Sequence, residues 1–178
     1  LVNALRQNSA LFLIACGQTY VIMLGGIDLS QGNLVGLASV CSAFAMLQFG
    51  LGIGLLAGLA VSVLCGMITG FIIVRGNVQP FVAALGMNFV IYGVNLIISG
   101  GNPVYNLPEQ VSYLGNKTVS GIPYALLLAV VAGIIVHIVL RKSIYGRGMY
   151  ATGGNKRAAH LSGISPRATI FIAWLING

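Results

Sequence analysis

The chain has 178 residues, 57% of them hydrophobic and only 6% charged, with a formal net charge of +7. A soluble domain would carry roughly 25% charged residues, so the composition excludes one and implies a polytopic membrane protein. The basic balance would point to nucleic acid in a soluble protein. Here it follows from loops retained in the cytoplasm, so membrane lipid, with no nucleic acid, is the implied surrounding.

Only Asp28 and Glu109 are acidic, which leaves no carboxylate pair for acid–base or metal chemistry and argues against an enzyme. Cys16, Cys41 and Cys65 lie singly in apolar stretches without CxxC spacing and suit small packing residues. His137 and His160 have no further ligand type at metal spacing, and no Gly-rich Lys loop occurs. No metal or cofactor is therefore expected, and energy from nucleotide would have to come from another chain. The apolar start also lacks a basic region leading into a small-residue cleavage site.

In chain order, apolar runs predict membrane helices over 10–27, 33–49, 51–74, 81–99 and 123–140, with another beginning near Pro166. Strand alternation is absent, so the expected class is all-α and not a barrel. Arg141, Lys142, Arg147, Lys156, Arg157 and Arg167 gather around the connection 141–165, which places it in the cytoplasm. Counting back puts 100–122 outside, Arg75 inside, Gly50 outside, 28–32 toward the inside and Arg6 outside. A chain starting in the cytoplasm then needs an odd number of spans before Arg6, most simply one. The start at Leu1 and the end within a short apolar segment likewise read as an internal piece of a longer protein.

The first helix gives way at Gly25, Gly26, Asp28, Ser30 and Gln31. Glycines tolerate the left-handed backbone of a helix end, and Asp28 is expected to cap the next helix, with Gln31 at capping-box spacing. The alternative is a broken helix that offers polar groups to a solute, as in many transporters. On the third helix, Gly54, Gly58, Ser62, Gly66 and Gly70 recur every fourth residue, a ridge for close packing within the chain or for a homodimer seam. On the fourth, Asn88, Tyr92, Asn95 and Ser99 form one polar stripe, which either hydrogen-bonds other helices or lines a pathway for hydroxylated molecules.

In the basic connection, Asn155 is placed to cap a short helix over 156–162 that stops at Gly163, and Ser165-Pro166 to start the next span. A helix so bounded, presenting Ala158, Ala159 and Leu161 among basic residues, suits a rigid projection that touches a partner. The plainer alternative is a loop held inside by its charge.

The motif TYVIMLGGIDLSQG at 19–32, the segment 77–100 and YGRGMYATGGNKRAAHLSGI at 145–164 resemble the permease subunits of ribose-type monosaccharide ABC importers. Gln31 stands where those permeases usually carry Val, and Arg157 where an acidic residue is common. The resemblance covers nearly the whole chain and implies a permease of about ten transmembrane helices, of which this chain holds the second to the sixth and the start of the seventh. It also implies that Gly153, Gly154, Asn155, Arg157, Ala158, Ala159, Leu161 and Gly163 belong to the loop that docks on an ATP-binding subunit. The implied partners are ATP-binding subunits, a second permease copy or paralogue, and a periplasmic sugar-binding protein. Function is then expected to be import of a monosaccharide or similar small polyol across the bacterial inner membrane by alternating access. The competing classes are a proton-coupled secondary transporter using Asp28, and a scaffold subunit without a pathway.

Overall fold

The computed structural model describes residues 2–111, 117–119 and 122–178. Its helices are α1 (Val2–Met23), α2 (Gln31–Phe49), α3 (Leu51–Gly76), α4 (Pro80–Ser99), α5 (Tyr124–Lys142), α6 (Ile144–Gly154), α7 (Lys156–Leu161) and α8 (Pro166–Asn177). Two short antiparallel strands, β1 (Thr118–Val119) and β2 (Ile122–Pro123), pair Thr118 with Pro123 and Val119 with Ile122 ahead of α5. The class is all-α and polytopic.

Helices α2 to α5 are each long and apolar enough to cross a membrane. Large apolar side chains point outward, among them Phe89, Ile97 and Leu128, which is where lipid replaces water as the contacting medium. With lipid outside, helices associate through close packing and not through exclusion of water. The glycine ridge of α3 shows how. Gly54 and Gly58 lie against Met46, Ser42 and Ala38 of α2, whereas Gly66 and Gly70 lie against Trp174 and Phe171 of α8. One ridge thus serves two neighbours within the chain. Trp174 is buried with Val21, Ile73, Ala83 and Ala84, which ties α8 to α1, α3 and α4.

Three sequence expectations need correction. The first helix reaches from Val2 only to Met23, since Gly25 takes φ +77° and the N–H groups of Gly25 and Gly26 donate to the carbonyls of Ile22 and Val21. That pattern ends a helix, and residues 26–30 then run without regular structure to the start of α2. Asp28 does not cap the next helix. Ser30 holds that position without a side-chain cap bond, and Asp28 sits two residues earlier, accepting from the Ser30 N–H. Nor is the basic connection mainly loop, because α6 occupies 144–154. Its Ser143 cap accepts from the Gly146 N–H, and Gly146 and Gly153 let its backbone lie directly on the carbonyls of Leu140 and Met23.

The end of α1, the start of α4, α6, α7 and the start of α8 gather at one end of the bundle: Gly26 lies by Pro80, Gly153 by Met23, and Lys156 and Arg167 share a cavity with Asn77 and Val78.

Candidate functional site

Between α1 and α2, the segment from Leu24 to Ser30 alternates exposed and buried residues, with Gly26, Asp28 and Ser30 turned inward. Gly26 is held there by space, since a Cβ would stand 2.9 Å from Val21 Cγ1 and 3.3 Å from Pro80. Asp28, 8% exposed, is the centre of a polar cluster. Its Oδ1 accepts from the Ser30 N–H (2.8 Å) and hydroxyl (2.6 Å). Its Oδ2 accepts from the amides of Gln31 (3.1 Å) and Asn177 (2.6 Å). Gln31 also donates to the Asn177 carbonyl at 3.0 Å, so the starts of α2 and the end of α8 are joined at one carboxylate.

Among the described residues, every direct hydrogen-bond partner of Asp28 is a neutral donor. Four donors occupy the acceptor sites of a carboxylate, and bonds of this charge-assisted kind are about twice as strong as neutral ones. A carboxylate buried among apolar helices needs such partners to persist.

The cluster continues toward α4. Asn33 donates to Asn88 Oδ1 (2.8 Å) and to the Asn88 carbonyl (3.3 Å). Asn95 lies one helical stretch further, with its amide nitrogen near Gly36 and its Oδ1 buried without a partner among the described residues. Tyr92 stands 50% exposed between them, and Ser99 accepts from the Gly101 N–H at the end of the helix. The polar stripe is therefore divided: Asn88 and Asn95 turn toward α2, and Tyr92 is open.

At the end of the bundle that holds α6 and α7, Asn155 Oδ1 accepts from the N–H groups of Arg157 (2.9 Å) and Ala158 (3.0 Å) and so caps α7. The helix closes at Gly163, φ +81°, with Gly163 N–H donating to His160 and Ile164 N–H to Ala159. These paired bonds satisfy carbonyls that a helix end would leave free. Of the apolar residues, Ala159 is buried, whereas Ala158 and Leu161 are exposed, Leu161 by 82%. Arg157 and Gly154 are exposed beside them.

Asn177 and Asn33 were not singled out by the sequence, although each carried a signal. Asn177 is a single amide at the end of an apolar run, and an amide in lipid must find a partner. Which partner depends on a contact between residues 149 apart, and no local pattern records that.

The whole chain, residues 1–178, matches the family described as branched-chain amino acid transport system / permease component. Among curated proteins it is 37% identical to the ribose import permease protein of Bacillus subtilis (strain 168), over 92% of this chain and 52% of that protein. It is 30% identical to the D-allose transport system permease protein of Escherichia coli (strain K12), over 97% of this chain and 53% of that one. It is 31% identical to the galactose/methyl galactoside import permease protein of Haemophilus influenzae (strain ATCC 51907 / DSM 11121 / KW20 / Rd), over 99% and 58%. The chain thus spans about half the length of the curated relatives it matches. No solved structure matches it. With its apolar helices and these bacterial relatives, it is a multi-pass protein of the inner membrane, and by its match along its whole length it belongs to the family of branched-chain amino acid transport system permease components.

Proposed function

We propose that this chain forms the transmembrane pathway of an ATP-driven importer for a monosaccharide or similar small polyol, powered by a partner ATP-binding subunit. The observation that carries this is α7. It is a helix of six residues, fixed by a side-chain cap at one end and a glycine turn at the other, that leaves Ala158 and Leu161 exposed beside Lys156 and Arg157. A free loop needs neither cap. A rigid apolar projection at the cytoplasmic end fits a groove in another protein.

The relatives' names concern carbohydrates, whereas the family description concerns branched-chain amino acids. Asn33 of α2 with Asn88 and Asn95 of α4 supplies amide groups where the two helices meet, and Tyr92 an exposed hydroxyl, a chemistry suited to sugar hydroxyls. An amino acid would call for paired charges, and the described helices bring no basic residue to this cluster. Asp28, enclosed by four donors, serves the proton-coupled alternative poorly, because a proton carrier must exchange with water on both sides.

The test is uptake of labelled ribose by the full-length permease, reconstituted with an ATP-binding subunit and a sugar-binding protein. Excess ribose, allose or galactose is expected to compete, and leucine is not. Competition by leucine alone would reject the polyol reading.

A further inference from the structure

Resting on the transport reading above, a further role falls to Asn177. The four residues from Ser162 to Ser165 join α7 directly to α8, with no slack: Ile164 donates back to Ala159, and Ser165 accepts from Ala168 as the α8 cap. Tyr145 of α6 donates to the Thr169 carbonyl at 3.1 Å, so the cytoplasmic helices hold the base of α8. At the other end of α8, Asn177 is 6% exposed and binds Asp28 through its amide and Gln31 through its carbonyl.

We propose that Asn177 is a positioning residue for transport. Through it, displacement of α7 and α8 shifts Asp28 and Gln31, and hence the polar face shared by α2 and α4. The physical chain is continuous: α7, α8, Asn177, the Asp28–Gln31 pair, α2, then Asn33 to Asn88. Coupling through packed elements of this kind requires that the linked part have two settings. Among the described residues Asn177 Oδ1 is buried without a donor, directly against Gly17, so the hydrogen bonds shown do not fix the side chain on that side.

The test uses the full-length permease assembled with its ATP-binding subunit and sugar-binding protein, and whichever of ribose, allose and galactose the wild type accumulates fastest. Sugar transported per ATP hydrolysed is measured for Asn177→Leu, Asn177→Ser and the exchange Asp28→Asn/Asn177→Asp. Asn177→Leu is expected to hydrolyse ATP near the wild-type rate while moving about tenfold less sugar per ATP, within the usual span of coupling effects. The exchange re-forms an amide–carboxylate pair and is expected to recover most of that ratio, as a double-mutant cycle would show. If Asn177→Leu does not assemble, Asn177→Ser and the exchange carry the same comparison. An unchanged ratio in the single variants, a fall of uptake and hydrolysis in step, or an exchange no better than the singles would overturn the role. Accumulation by the wild type without ATP would instead reject the proposed function.

Discussion

Gly66 of α3 and Trp174 of α8 approach so closely that a Cβ on the glycine would stand 2.5 Å from the tryptophan carbonyl oxygen. No side chain fits there without moving one helix off the other. Gly66→Ala is therefore expected to destabilise the purified protein by about 1–3 kcal/mol, the usual range for overpacking. Gly52→Ala and Gly93→Ala meet open space and serve as helical controls. Thermal unfolding in detergent checks this: a midpoint for Gly66→Ala equal to the controls would show that the α3–α8 contact is loose.

The cap of α7 gives a second test. Asn155→Ala removes the acceptor for two backbone N–H groups and should cost about 1 kcal/mol locally. Asn155→Asp keeps the acceptor. Amide exchange across 156–161 should quicken in the first variant and stay near wild type in the second. Equal protection in all three would mean that packing of Ala159, not the cap, holds the helix.

The same helix separates a structural from a contact role. Ala159 is 2% exposed, so Ala159→Asp buries a charge and should disrupt the protein itself. Leu161 is 82% exposed, and Leu161→Asp should alter stability by no more than about 0.5 kcal/mol. Its expected effect is loss of the ATP-binding subunit on co-purification. Retention of that subunit at wild-type levels would remove Leu161 from the docking surface.

Much of this fold was legible because lipid imposes long apolar helices. The ends of α2 to α5 lie within about two residues of where apolar runs stop, the ordinary uncertainty of a helix end. Helix α6 was not legible, for a definite reason. Its four glycines and Arg147 read as a loop, yet two of them, Gly146 and Gly153, are what let it lie flat on the carbonyls of Leu140 and Met23. For the candidate site, Asp28 and Gln31 were evident as a helix break. Their partner Asn177 was not, because it comes from the far end of the chain.

That partnership changes what is expected of Asp28. A helix-capping aspartate would tolerate asparagine. Here Asp28→Asn would turn an amide donor toward the donors Ser30, Gln31 or Asn177, and loss of a hydrogen bond to a charged group costs about 1.5–3 kcal/mol. The expected outcome is a lower unfolding temperature, relieved when Asn177→Asp is added. Wild-type stability in the single variant would return Asp28 to a simple turn residue.

The central claim, that a partner's ATP hydrolysis drives solute through this chain, meets its most direct test in sealed vesicles. The full-length permease is reconstituted with its ATP-binding and sugar-binding subunits, ATP is placed on the cytoplasmic face, and labelled sugar uptake is followed with and without a protonophore. Uptake that requires ATP and persists after the proton gradient is collapsed is the expected result. Uptake that stops with the gradient while ATP is undiminished would contradict it and make Asp28 the centre of a proton-coupled carrier.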